Sequence, residues 1–268
     1  MYRHLIPFLV LLLILCNNNA WGLVMDSSYD KYSGFPSDND TIPKKKKNIL
    51  LKSSIALGYM GGLYIAYKEL DHPVRYESQR MKGKFLNTVS DVITPLGLGR
   101  HVWKGVGGTF VFSYLTKNQK LQRATFLWAG SLLVNDLFTW QMKNFFQRHR
   151  PYTGHPNNTF DWQNGPQTYR SFPSAHTSNF FATATVFAVV YKDVKWVPPV
   201  AFGIASLMGL LRIYENAHWL TDVMGGAAIG YLSAQGVIAL HRLVGKKYIL
   251  IIPQIGDKFS SLRVIRTF

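Results

Sequence analysis

Residues 173–191 read PSAHTSNFFATATVFAVVY, four residues suited to starting a helix followed by a run too uniformly apolar to alternate as a strand. Ser174 is a natural N-cap, because its side-chain oxygen can accept from the backbone N–H groups that a first helical turn leaves unpaired. A helix beginning here aims those N–H groups, and the positive end of its dipole, at a single point. That point suits an anion.

Working outward, apolar segments at 49–67, 106–115, 124–140, 179–191, 197–211 and 224–240 share this lack of alternation, and no repeat relates them. They predict an all-α fold, a helical bundle of about six helices. Lys143 closes one helix, His176 opens the next, and Arg212 and His218 flank the last turn. Alternating helix directions then carry all of these residues to one end of the bundle, which becomes the candidate active site. The connection 151–172, with Tyr152, Gly154, Asn157, Trp162, Asn164 and Gly165, lies over that end, either as a substrate lid or as a plain coil.

The residue types at that end suit one chemistry. Lys143, Arg150 and Arg212 are three fixed cations, the guanidinium offering a planar fork of donors and the ammonium a mobile point charge. A phosphoryl group has the oxygens to use them. His218 and Asp222 are four apart and share a face if their turn is helical, and a carboxylate on one ring nitrogen sharpens the other as a nucleophile or metal ligand. His176 then serves as the acid for a leaving oxygen, which completes a plan for phosphoester cleavage without a metal. Of the eight histidines, His4, His72, His101 and His241 fall outside these clusters. His149 and His155 flank Arg150 as ordinary loop residues.

In these three clusters the chain resembles the type 2 phosphatidic acid phosphatase superfamily, which includes class A bacterial acid phosphatases and vanadium haloperoxidases. That pattern is Lys-x6-Arg-Pro, Pro-Ser-Gly-His and Ser-Arg-x5-His-x3-Asp; this chain has KNFFQRHRP from Lys143, PSAH from Pro173 and LRIYENAHWLTD from Leu211. The resemblance covers about residues 120–240. It implies that Lys143, Arg150 and Arg212 bind the phosphoryl oxygens, with Ser174 and the backbone N–H of Ala175 completing the cradle. It also implies that His218 becomes phosphorylated, Asp222 orients it, and His176 protonates the departing alcohol and then activates water, with no cofactor. Two positions depart from the pattern. Ala175 stands for glycine, so its backbone must avoid the left-handed region, and Leu211 stands for serine, which removes one hydrogen bond to phosphate.

Thirty basic against fourteen acidic residues give a net charge of +16, which favours anionic partners, a phosphorylated lipid or small phosphoester before nucleic acid, for which no reading motif is present. At the N-terminus, Arg3 and His4 precede an apolar run from Leu5 to Cys16, and Ala20-Trp21-Gly22 is a small-x-small cleavage site. Residues 1–22 are therefore expected to be a signal peptide that carries away the lone cysteine, Cys16. Residues 23–47 form a polar linker ending in four lysines, 48–246 the helical domain, and 247–268 an accessory segment with the β-branched content of a short hairpin.

A mean hydropathy of +0.01 leaves integral and soluble versions of the bundle open. Lys117, Lys120, Arg123, Lys192, Lys195, Arg242, Lys246 and Lys247 gather at the end opposite the motifs, which the positive-inside rule assigns to the cytoplasm. After a cleaved signal, six full crossings would put the motifs on the wrong side; parity is restored if 106–115 does not cross, or if the whole bundle is periplasmic. The expectation is an exported, membrane-associated phosphatase of a bacterial envelope, facing the periplasm and acting on lipid phosphates or pyrophosphates. The alternatives are a broad-specificity soluble acid phosphatase, a vanadate-dependent haloperoxidase, and a noncatalytic lipid-binding membrane protein.

Overall fold

The computed structural model describes residues 49–163, 165, 169–244, 250–255 and 260–265. The expected signal peptide and polar linker lie outside these residues, as does Asn164 of the long connection. Four of the six apolar runs fall within a helix, and 49–67 and 179–191 overrun theirs by two residues and one: α1 (Ile49–Ile65), α4 (Gly99–Leu115), α5 (Gln119–Phe146), α6 (Ala175–Val190), α7 (Val197–Tyr214) and α8 (Leu220–Val244). Two further helices, α2 (Asp71–Arg80) and α3 (Lys84–Ile93), stand between α1 and α4. Hydropathy conceals both, because α2 (DHPVRYESQR) has almost no apolar residues and α3 has only one apolar face. A π turn, Ala66–Leu70, joins α1 to α2, and a 3-10 turn, Thr94–Gly97, follows α3.

Residues 48–235 form one compact unit. Its hub is α6, which packs on α5 and α7, while α4 packs on α5. The hub is small and apolar where it is most enclosed, with Ala182, Ala184 and Val186 all buried. Polar stitches fix its register against α5: the Asn135 amide donates to Ser178 Oγ at 3.1 Å and to Asn179 Oδ1 at 2.7 Å. Gly226 and Gly230 bring α8 against the other flank, since a Cβ at these positions would stand 2.5 Å from the Ser174 carbonyl oxygen and 2.1 Å from that of Ser178. Only glycine permits that approach, the small-xxx-small device of closely packed helices.

The outward faces are apolar. Phe110, Phe112, Leu133, Leu137, Ile204 and Leu210 are all exposed. Val197–Tyr214 and Leu220–Arg242 are long and apolar enough to cross a membrane. At the end of α5 far from Lys143, Lys120 pairs with Asp193 at 3.5 Å.

In the second unit, which contains the end of α8, the accessory segment contributes two strands. Strands β1 (Leu250–Ile255) and β2 (Ser260–Ile265) pair antiparallel, in a register running from Leu250↔Ile265 to Ile255↔Ser260.

Candidate active site

Ser174 caps α6, its hydroxyl accepting from the Thr177 N–H at 3.5 Å and the Thr177 hydroxyl at 2.9 Å. It is fully buried. Ala175 is the first residue of α6 and takes right-handed helical backbone, so the missing glycine costs no strain. Next in the chain, His176 stands against Gly97, where a Cβ would come within 2.6 Å of the imidazole. Leu211 is buried in the core, so the serine it replaces is exchanged for packing.

The last cluster runs from a helix end through a turn to the next helix start, as expected, and the turn itself is not helical. Asn216 adopts a left-handed conformation (φ +60) that stops α7, and the N–H groups of Ala217 and His218 both return to the Arg212 carbonyl, at 3.1 and 3.2 Å. His218 therefore lies in the turn ahead of α8. Asp222, in the first turn of α8, reaches back to accept the Trp219 N–H at 2.9 Å, the carboxylate half of a capping box.

That geometry brings the expected residues together. His218 is buried, with Nε2 3.4 Å from the Arg150 guanidinium and Nδ1 3.5 Å from Asp222 Oδ2. The second distance exceeds a normal N–H···O bond, as catalytic contacts commonly do in unliganded sites. Ser171 fills the gap: its hydroxyl donates to Asp222 Oδ2 and lies 3.4 Å from His218 Nδ1. Lys143, Arg150 and Arg212 stand close enough to act electrostatically on one another and on His176.

Lys143 donates to the carbonyls of Arg170 (2.6 Å) and Ser171 (3.2 Å), and Arg150 reaches the same Arg170 carbonyl at 3.3 Å. The returning end of the long connection thus runs directly across two of the cations. Arg212 is paired with Glu215, whose other oxygen accepts from Ser90. A cleft of about 300 Å³ opens beside them, lined by Ser90, Asp91, Thr94, Pro95, Leu98, His176, Arg212 and Glu215. Among the described residues no group of three or more His, Cys, Asp or Glu side chains could hold a metal ion.

Both histidines lie outside the two apolar stretches of membrane-crossing length, and both are held toward the neutral form. Burial depresses His218 most; the facing Asp222 carboxylate opposes this, and Arg150 and Lys143 depress it further. His176 is pushed down to about 3 by burial and then by Arg212, Lys143 and Arg150. A neutral imidazole keeps one ring-nitrogen lone pair free. Negative charge entering the cradle would offset the three cations that hold His176 neutral.

Several residues of this region carry no motif in the sequence. Helix α2 grips the catalytic turn from behind: Arg75 Nε donates to Asn216 Oδ1 at 2.8 Å, Gln79 to the Tyr214 carbonyl at 3.1 Å, and Ser78 to that of Ile213 at 3.4 Å. His72 packs edge-on to Trp219, a structural part consistent with its place outside the clusters. His149 is buried on Asp161 at 3.0 Å and stacks on Tyr169. Asp71, Arg148 and Ser171 likewise escaped notice. Their contacts join segments up to 150 residues apart, and the one hint for Arg148 was its place inside KNFFQRHRP.

Residues 124–246 match the model of the PAP2 superfamily. Over 63 residues the chain is 43% identical to lipid A 1-phosphatase of Porphyromonas gingivalis, covering 23% of this chain and 14% of that protein. Over 148 residues it is 25% identical to lipid A 4'-phosphatase of the same organism, covering 52% and 61%. The chain therefore spans less than two thirds of either relative. It shares the fold of the transmembrane PAP2-type phosphatidylglycerolphosphate phosphatase of Bacillus subtilis, with a TM-score of 0.50, 22% identity, and coverage of 72% of this chain and 96% of that one.

Proposed function

We propose that this protein is a membrane-embedded lipid phosphatase that works through a phosphohistidine formed on His218, using protein side chains alone. The observation that carries the proposal is the placement of His218: Nε2 lies beside the Arg150 guanidinium while Nδ1 faces Asp222 and Ser171. A phosphoryl group bound by Arg150, Lys143 and Arg212 would present its phosphorus to Nε2. Its oxygens compete with Glu215 for Arg212.

The Nε2 lone pair forms the N–P bond as the bond to the ester oxygen breaks, and His176 gives its proton to that oxygen. The Asp222 carboxylate offsets the positive charge that develops on the ring. In the second half, water attacks phosphorus, its proton passes to His176, the N–P bond breaks, and inorganic phosphate leaves. The first step makes His176 an acid and the second a base, as reversibility of the proton path requires.

The lipid assignment rests on the outer faces. A soluble bundle hides its large apolar side chains, whereas Phe110, Phe112, Leu133 and Leu210 here point outward on three different helices. In a bilayer those faces are satisfied, and the polar catalytic end sits at the interface where a lipid phosphate lies. With the basic turns around Lys120 and Lys192 on the cytoplasmic side, the site faces away from the cytoplasm, toward the periplasm of a bacterial envelope.

The test is phosphate release by the purified protein, with and without EDTA, from phosphatidate, a polyprenyl pyrophosphate and a small aryl phosphate, against His218→Ala as blank. Preference for either lipid supports the proposal. Equal use of the aryl ester would replace it with a broad-specificity acid phosphatase, and EDTA loss restored by a divalent cation would overturn the side-chain mechanism.

A further inference from the structure

Behind His218 lies a buried ion triad of which the chemistry above uses only Asp222. Asp71, Arg148 and Asp222 are each no more than 1% exposed. Arg148 donates from one terminal nitrogen to Asp71 Oδ2 at 2.6 Å, and from the other to Asp222 Oδ1 and Thr221 Oγ1, both at 2.7 Å. Its Nε goes to the Asn157 carbonyl at 2.8 Å. Asp71 also accepts from the Thr221 N–H (2.9 Å), the Thr221 hydroxyl (2.8 Å) and the Asn157 amide (3.1 Å). The guanidinium fork is thereby clamped on both edges.

Burying three charges is costly, and well-packed apolar residues hold helices together at least as well. The triad needs a task, and its geometry supplies one. Arg148 takes Oδ1 of Asp222, so Oδ2 is the oxygen left to face His218, Ser171 and the Trp219 N–H. Rotation of that carboxylate would break the Arg148 contact. Asp71 is delivered by the π turn Ala66–Leu70, which ends immediately before it; such turns often occur at functional sites. It also lies outside the matched region 124–246.

We infer that Arg148, clamped by Asp71, is a positioning residue that fixes the Asp222 carboxylate and, through it, the Nδ1–H tautomer of His218. This rests on the phosphohistidine reading. It makes a segment beyond the three motif clusters part of the apparatus of catalysis, with the charge of Asp71 acting on the nucleophile through two intermediaries.

The experiment compares full-length wild type, Arg148→Met, Arg148→Lys, Asp71→Asn, Asp222→Asn and the Arg148→Met/Asp222→Asn double variant in detergent micelles. Arg148→Met is expected to lower kcat about 10- to 100-fold, the usual loss when a supporting partner is removed, with KM almost unchanged. Arg148→Lys should recover part of the loss. The double variant should be no slower than Asp222→Asn alone, because Arg148 acts only through Asp222.

Wild-type kcat in Arg148→Met, or losses that multiply in the double variant, would overturn the inference. Nitrogen-15 histidine spectra read the tautomer without turnover, with His218→Gln identifying the signal: protonated Nδ1 in wild type and a mixture in Arg148→Met is the expected result, and an unchanged tautomer overturns it. Should Arg148→Met fail to fold, Asp71→Asn passes through the same cycle and spectra. A wild type that releases no phosphate would sink the phosphohistidine reading, while the spectra still decide the positioning role.

Discussion

The catalytic end and the flanks of this bundle invert the usual pattern of a globular protein. At the end, Arg148, Asp71, Asp222, Thr221 and Ser171 are buried and bonded to one another. Along the flanks, Phe110, Leu133 and Leu210 are exposed. The difference shows which solvent each region is built for. A charge out of water must be paired and hydrogen-bonded, and the triad meets that demand. An apolar flank in a bilayer needs no cover, so the helices are held together by close backbone contact at Gly226 and Gly230 and by the Asn135 amide.

The most drastic way to break the polar end is His218→Ala, which is expected to reduce phosphate release at least about 1,000-fold, as loss of a covalent nucleophile does. Its fold should be retained, which a thermal melt against wild type would check. Next comes the seam that lets the two regions coexist. Gly230→Val would drive a branched side chain into the Ser178 carbonyl, and we expect a loss of about 3 kcal/mol or more, read as a lower unfolding midpoint in micelles.

A paired substitution then measures the contrast itself. Leu132 is buried between helices and Leu210 is exposed. Leu132→Ala should cost about 2–5 kcal/mol, whereas Leu210→Ala should change stability in micelles by no more than about 0.5 kcal/mol. Equal losses would mean that the exposed flank is covered by protein, contrary to the bilayer reading.

The smallest effect is one of pH. His176, held near 3 in the empty site, must gain its proton from the charge of bound substrate, so kcat should fall as pH rises through the His176 pKa of the complex. Neutral His218 imposes no matching loss until the medium is strongly acidic. Alkyl phosphates, whose leaving oxygen needs that proton, should show the fall more steeply than an aryl phosphate. Identical profiles for both would remove His176 from the acid role.

How far the sequence carried depended on the range of the interactions. Ser174 and Ala175 were legible because a cap and the first residue of a helix are local matters. Lys143, Arg150, Arg212, His176, His218 and Asp222 were legible through motif spacing. The relation of His218 to Asp222 was only half visible: the sequence placed them at a turn and the next helix start, but whether that turn was helical was decided by the left-handed Asn216, which puts the histidine outside the helix. Helices α2 and α3 were hidden because α2 has almost no apolar residues and α3 only one apolar face, which leaves no apolar run to find.

By itself, then, the sequence determined the all-α fold, the helix that opens at residue 175 and the set of reactive side chains, because periodicity, capping and residue chemistry act over a few positions. Tertiary structure alone decided which oxygen of Asp222 faces the nucleophile and what holds it there. Asp71 and Thr221 are 150 residues apart, and no local rule relates them. Only when α1, α2 and the catalytic turn pack does the cost of an unpaired buried charge select their partners.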